Sequence, residues 1–426
     1  MPKIICITSG LTGILYASFE LVHRLETAGH EVIYACPRAV GEQVRANDIT
    51  YIQLPETNFF PAPALPTFSG ALQKIKRLWY KWRYRHKRQQ AAIEALGMQH
   101  FKAFLKNQNP DLVIIDVELH EHLMTSISEQ VPTLLLSQWF SLWNRPGLPP
   151  IVSDIIPKQR WQGSSLGIRW AWQKIQWKRW WMFTKQKLRS AGTDRRSILK
   201  QYAQTISFPL KYIPENYWPG PFTYHELPVI SMTLEEMEFP HDARPHLHYV
   251  GPMIAENRND KSVDTETAQR LQAIYAEQST NNKALICCTV SSFKAGDPDF
   301  LKRLIASVAQ QEQWLLIIGL GSKLKAEALG EIPPNVHAFA WIPQTDVLAK
   351  AACSINHGGI HTINECIHFQ VPMLIYSGKR SDQDGCAARV HYHGLGIMAD
   401  KDQDDSTTMT RKIYQLLEDK TYQSQI

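Results

Sequence analysis

The residues best suited to bind or move charge gather between Trp341 and Gln383, in the run WIPQTDVLAKAACSINHGGIHTINECIHFQVPMLIYSGKRSDQ. Ser354 to His357 reads as a buried strand, Gly358 and Gly359 as a turn, and a helix is expected from near Ile360. Such a strand, glycine turn and helix start aims free backbone N–H groups and the positive end of a helix at an anion, and a diphosphate suits it. Close by in the chain, Glu365 offers a carboxylate that can take two hydrogen bonds from a vicinal diol, and Trp341 offers a flat apolar platform for a base. Thr362 and Glu365 also fit the S/T-x-x-E capping box, in which they would only start a helix. A second group, Asp116, Glu118, His120 and His122, follows the strand-like DLVIID, at the carboxyl end where open α/β sheets hold their ligands. These are candidates for acid–base work, while for His120 and His122 a solvated helix start is the favoured reading.

In order and spacing, WxPQ, HGG, T-x-x-E, VPM and DQ resemble the donor-binding box of the nucleotide-sugar-dependent glycosyltransferases of family 1, which use the two-domain GT-B fold. The branch implied is the bacterial natural-product or macrolide type, related to the UDP-glucosyl and glucuronosyl enzymes. The resemblance implies that Trp341 stacks on the nucleobase and Gln344 contacts the nucleoside. It further implies that His357, Gly358 and Gly359 hold the diphosphate with help from Thr362. Glu365 would accept hydrogen bonds from the ribose, and Asp382 and Gln383 would bind hydroxyls of the sugar. CTVSSF, residues 288 to 293, stands where family members carry a Ser or Thr after the first strand of this domain, so Ser292 is expected at the outer phosphate. The resemblance is specific over about 285 to 400 and diffuse over 1 to 250. There GILYASFELVHRLETAGHEV resembles the family's first helix and the GHEV before its second strand.

The chemistry so implied is attack of an acceptor hydroxyl on the anomeric carbon, displacing a nucleoside diphosphate with inversion. A UDP-sugar would be co-substrate, with no cofactor and no required metal. A hydroxyl is a poor nucleophile at neutral pH, and the family usually places a His in its first loop as base with an Asp to orient it. Alignment on GHEV puts that His at Ile14, which cannot take a proton, while Asp116 remains as the partner. Three explanations stand open. Asp116, His120 or a substrate group serves as base; or the acceptor is a carboxylate, of pKa about 4, that needs none; or the site binds a nucleotide sugar without transferring it. The leading expectation is an inverting glycosyltransferase acting on an apolar or amphipathic natural-product or lipid acceptor. Its competitor is a non-catalytic nucleotide-sugar-binding partner or scaffold protein.

These groups need elements to carry them. The chain opens with a strand (Ile4 to Thr8), a loop (Ser9 to Gly13), a helix (about Ser18 to Ala28) and a strand (Glu31 to Cys36), a Rossmann-like start whose SGLTG is no dinucleotide fingerprint. Tyr51 to Leu54, Asp111 to Asp116 and Pro132 to Ser137 read as further strands. FFPAPALP, residues 59 to 66, must be loop. Residues 209 to 228, with five prolines, read as an ordered loop region that could touch an acceptor. Past the polar IAENRNDKSVDTET the alternation is regular. Strands are expected at 285 to 289, 314 to 318, 336 to 339, 354 to 357, 372 to 376 and near 396. Helices are expected from about 299 and 323, at 345 to 352 and 361 to 369, from about 384, and at 407 to 418. The fold class is therefore α/β, with two Rossmann-like doubly wound domains facing a cleft. Residues 1–245 form the acceptor domain, 246–280 the connection and 281–426 the donor domain.

Length and composition agree with two such domains: 426 residues, 44% hydrophobic and 20% charged. No run of about 18 uncharged apolar residues suggests a membrane span, and the start does not read as a signal peptide, so a cytoplasmic location is expected. Seven cysteines without a CxxC read as reduced core thiols and argue against structural zinc. The net charge of +6 is unevenly spread. From Lys74 to Arg88 eight of fifteen residues are Lys or Arg, interleaved with Trp79, Tyr80, Trp82 and Tyr84. From Lys158 to Arg189 there are nine Lys or Arg and six of the thirteen tryptophans. Two readings compete: peripheral contact with a membrane or an apolar acceptor, or solvated basic helices with buried tryptophans. No nucleic acid is expected as partner, although these stretches are the one feature that would suit it.

Overall fold

The computed structural model describes the chain except for residues 56, 58–64, 68, 71, 141, 214–221, 243, 244, 257, 259–262, 290–296, 322 and 323. It divides into two compact units, one of residues 1–148, 165–232 and 241–253, the other of residues 149–164, 233–240 and 254–426. Two stretches from the first 245 residues, 149–164 and 233–240, thus pack with the second unit.

Each unit is built on one parallel sheet. In the amino-terminal unit the strands are β1 (Lys3–Ile7), β2 (Glu31–Cys36), β3 (Tyr51–Gln53), β4 (Leu112–Asp116), β5 (Thr133–Ser137), β6 (Val229–Ser231) and β7 (Leu247–Tyr249), in the order β3-β2-β1-β4-β5-β6-β7. In the carboxyl-terminal unit they are β8 (Ala284–Thr289), β9 (Trp314–Gly319), β10 (Val336–Phe339), β11 (Cys353–Asn356), β12 (Met373–Tyr376) and β13 (Gly396–Ala399), in the order β10-β9-β8-β11-β12-β13. Every pairing is parallel, for example β1 with β4 and β8 with β11. Strands covered on both faces need unbroken apolar runs, and WLLIIG of β9 is buried at every position. In both sheets the order reverses beside the first strand of the unit, between β1 and β4 and between β8 and β11. The crevice outside the carboxyl ends of such strands is where open α/β sheets bind ligands.

The α/β class and the two doubly wound sheets are as expected, and three local readings change. The strands β6 and β7 have three residues each and were not legible beside Pro228 and Pro245. The first helix starts at Thr12, so Gly13 lies in its first turn and not in a loop. The helix expected from 323 is a short 3-10 turn at Ala326–Leu329. All seven cysteines are buried and unbridged, and burial raises the thiols of Cys6, Cys288, Cys353 and Cys366 to about 12. Among the described residues no helix is long and apolar enough to cross a membrane. The two basic stretches do form helices, Gln73–Arg83 with Arg85–Glu94, and Ser165–Ser190. Their tryptophans are mostly not buried: of those in the second stretch only Trp172 lies inside, while Trp161, Trp170, Trp177, Trp180 and Trp181 are exposed.

Candidate donor and acid–base sites

The turn that ends β11 sits at the switch point of the carboxyl-terminal sheet. Gly358 takes a left-handed backbone (φ 82), and its N–H donates to Asn356 Oδ1 at 2.9 Å. A Cβ on Gly358 would stand 3.0 Å from the backbone carbonyl of Gln383, and one on Gly359 would stand 2.8 Å from His357 Nε2. The two glycines therefore let the His357 ring fold over the turn and the start of the helix Gln383–Tyr392 press against it. Burial lowers the pKa of His357, opposed by a contact with the backbone of Thr289 at the end of β8, so the ring is neutral near pH 7. Its Nδ1 is buried and meets no hydrogen-bond partner among the described residues. The helix Ile360–His368 begins directly after the turn with no side chain capping it. Its first N–H groups have no helical carbonyl to accept them and suit an anion.

The capping-box reading of Thr362 and Glu365 fails, because the cap position is Gly359 and both residues lie inside the helix. They instead meet Gln344, whose Nε2 donates to Thr362 Oγ1 at 3.2 Å and to Glu365 Oε2 at 2.5 Å. The other oxygen of Glu365, Oε1, accepts from Arg258 Nη1 at 2.6 Å, an ion pair in which Glu365 is buried and Arg258 partly so. Arg258 went unread in the sequence, where it sits in a polar connection 107 residues from its partner. Trp341 is half-buried, with its indole N–H unpartnered among the described residues. Gln383 accepts the N–H of Gly378 through Oε1 at 3.0 Å, and Asp382 accepts from Cys386 Sγ at 3.7 Å. The structure thus joins Gln344, Thr362 and Glu365, and sets Gln383 against the His357-Gly358-Gly359 turn. Ser292 falls outside the described residues.

The second group splits. Asp116, at the carboxyl end of β4, is buried and accepts the N–H of Ser9, just past β1, at 3.1 Å and that of Glu118 at 3.0 Å. Burial raises its pKa against these two hydrogen bonds. His120 and His122 are not at a solvated helix start, since both are buried in the helix His120–Ser128. His120 Nδ1 lies 2.7 Å from the Tyr224 hydroxyl, its ring edge-on to Phe222; His122 packs against Phe101, and burial depresses its pKa to about 4. Between them Glu121 pairs with Arg195 at 2.6 Å. Pro-rich 209–228 supplies Phe222 and Tyr224 to this packing. Ile14, where the resemblance expects a His, is buried in the first turn of the helix Thr12–Thr27. Asp116 and the half-buried Glu118 beside it are thus the acid–base candidates left at the switch point of this sheet. Among the described residues no three His, Cys, Asp or Glu are grouped to hold a metal ion.

Residues 302–426 match the family model of the erythromycin biosynthesis protein CIII-like carboxyl-terminal domain. The NDP-glycosyltransferase YjiC of Bacillus subtilis is 24% identical over 220 residues, 51% of this chain and 50% of that protein. The chain spans about half the length, or less, of the curated relatives it matches. Solved structures cover it more fully. The glycotransferase of kitacinnamycin superposes with a TM-score of 0.67 at 17% identity, over 100% of this chain and 93% of that one. The glycosyltransferase VinC in complex with dTDP gives 0.59 at 17%, over 100% and 93%. At such identities the likeness is one of fold. The whole chain thus shares the two-sheet fold of these glycosyltransferases, and residues 302–426 are similar to the erythromycin biosynthesis protein CIII-like carboxyl-terminal domain.

Proposed function

We propose that this chain moves a sugar from a UDP-sugar to an apolar or amphipathic natural-product acceptor, with inversion and without requiring a metal ion. The observation that carries the reading is the joined cluster at the end of β11: the His357-Gly358-Gly359 turn, Gln383 against it, and Gln344, from the helix before β11, hydrogen-bonded to Thr362 and Glu365 on the helix that follows. In this reading the helix start and His357 Nδ1 meet the diphosphate, with Ser292 at its outer phosphate. Glu365 meets the ribose and Trp341 the base. The Oε1 of Gln383 is occupied, so its amide NH₂ is the group for a sugar hydroxyl, with Asp382 beside it. VinC holds dTDP, a nucleotide of the same class. A uridine nucleotide is proposed here because a carboxylate at the ribose gains a hydrogen bond from a 2′ hydroxyl.

In the transfer step the acceptor oxygen bonds to the anomeric carbon as the bond from that carbon to the diphosphate oxygen breaks, its electron pair leaving on UDP. A hydroxyl acceptor must also lose a proton. Asp116 is the proposed base, its buried carboxyl having a raised proton affinity. A carboxylate acceptor has no proton to lose. One observation favours the second reading, donor binding without transfer: Ile14 is apolar and His120 is held in the core by Tyr224.

A product screen with hydroxyl and carboxylate acceptors separates the two. The wild type is expected to transfer to carboxylates, or to hydroxyls in a manner that Asp116→Ala slows by about 10²- to 10⁴-fold. If it transfers to neither and releases no sugar to water, while Ile14→His gains activity, the natural protein is a binder and not a transferase.

A further inference from the structure

The helix Ser165–Ser190 has two apolar faces and only one of them is packed. Ile168 and Trp172 are buried in the amino-terminal unit. On the opposite side Leu166, Trp170, Trp177, Trp180, Trp181 and Leu188 all fall within about 100° of arc. All six are exposed, Trp177 by 70% and Trp180 by 60%. Lys174, Lys178, Lys185 and Arg189 flank this stripe on one side, Arg169 and Lys187 on the other, and the helix has no Asp or Glu. The helix Gln73–Arg83 repeats the pattern: Ile75, Leu78, Trp79 and Trp82 form one exposed stripe, none of its residues is buried, and it too lacks an acidic residue. Hydrogen bonds tie the end of the long helix to this helix and to Arg85–Glu94 after it. Lys81 Nζ donates to Arg189 O at 3.0 Å, Arg88 to Ser190 O at 3.3 Å, and Gln89 to Gly192 O at 2.9 Å.

We propose that these two stripes dock on an anionic lipid bilayer, their helices lying in the headgroup plane. The long helix, at 26 residues, extends about 39 Å, yet it is too charged to span a membrane. Tryptophan, with an apolar body and one N–H donor, favours the boundary between headgroups and acyl chains, and Lys and Arg favour anionic headgroups. Solvent alone would reward neither the tryptophan stripe nor the exclusion of acidic residues. A stripe flanked by cations on both sides selects a negatively charged surface. The proposal does not depend on glycosyl transfer, because its test reads binding.

Flotation with vesicles of phosphatidylcholine containing about one third phosphatidylserine, against phosphatidylcholine alone, is the experiment. At low salt the protein is expected to float with the anionic vesicles, with its tryptophan emission shifted to the blue, and to be released near 0.5 M salt, where the Debye length falls to a few ångström. Trp177→Ser/Trp180→Ser/Trp181→Ser is expected to weaken partitioning at least about tenfold, as is Lys174→Glu/Lys178→Glu/Lys185→Glu. All six positions are exposed or flank the stripe, and circular dichroism checks that both variants fold. Failure to float at low salt overturns the proposal, and so does undiminished flotation of both variants. Sedimentation showing a wild-type dimer that the tryptophan variant dissociates would give the face to a second copy instead. Single-stranded RNA displacing the vesicles would give it to nucleic acid.

Discussion

Among the described residues Glu365 carries two hydrogen bonds, one on each oxygen: Arg258 on Oε1 and Gln344 on Oε2. A carboxylate has about four lone-pair sites, so one on each oxygen remains for a ribose hydroxyl. Arg258 then acts as the residue that orients the carboxylate. On this argument UDP binds more tightly than dTDP by one charge-assisted hydrogen bond, roughly 1 to 3 kcal/mol. Arg258→Ala lowers UDP affinity about tenfold, corresponding to about 1.4 kcal/mol. Glu365→Ala removes the preference for UDP over dTDP altogether. Calorimetry reads all three, and equal affinities of wild type for the two nucleotides, or tighter UDP binding by Arg258→Ala, would reject the arrangement. The box itself was legible because its residues lie within one 43-residue run, where strand, turn and helix periods show. Arg258 was not, since an ion pair across 107 residues leaves no local pattern.

At the scale of elements, the strands of the carboxyl-terminal sheet match their sequence reading to within a residue or so, because an apolar run between two helical periods has only one place in a parallel sheet. The helix His120–Ser128 shows the opposite case. Its polar HEH reads as solvated, yet Phe222, Tyr224 and Arg195 arrive from distant segments to cover it. The helix Gln383–Tyr392, which carries Gln383 to the turn, is fixed in a similar way. Arg389 donates to Glu238 at 2.7 Å and to Gly385 O at 2.9 Å, with Phe239 under its guanidinium at 4.6 Å, and both charged side chains are buried. Gly385 has no room for a Cβ, which would lie 2.0 Å from Ile151 O. Breaking such a pair strands one charge, so Arg389→Met is expected to cost roughly 3 to 5 kcal/mol in urea unfolding, and Arg389→Met/Glu238→Gln to recover much of it. A loss below about 1 kcal/mol in the single variant would show that the pair does not hold this helix.

At the scale of the whole molecule the chain has two sheets, each with its own core; acid acts on both units, while UDP is expected to act on one. In the amino-terminal unit the pKa of His122 is depressed to about 4 by burial, from 6.5. A buried neutral base stabilises fully above its unfolded pKa, and the contribution is lost as the pH falls from about 6.5 toward 4, because the unfolded chain takes the proton first. The loss is on the order of 3 kcal/mol at the acid end of that window. In the carboxyl-terminal unit UDP at about a hundred times its Kd adds about 2.7 kcal/mol. Burial depresses His361 on the helix Ile360–His368 to about 4 as well, so acid weakens that unit too, and hydrogen exchange, corrected for the intrinsic effect of pH, should separate the acid and nucleotide effects peptide by peptide. Lowering the pH from about 7 to 5 deprotects peptides of β1, β4 and the helix His120–Ser128, an effect that His122→Gln abolishes. UDP at either pH instead protects β11 and the helices Ile360–His368 and Gln383–Tyr392. Acid deprotection that survives in His122→Gln would remove the histidine from this role, and equal protection of both units by UDP would place the nucleotide elsewhere than on the turn at the end of β11.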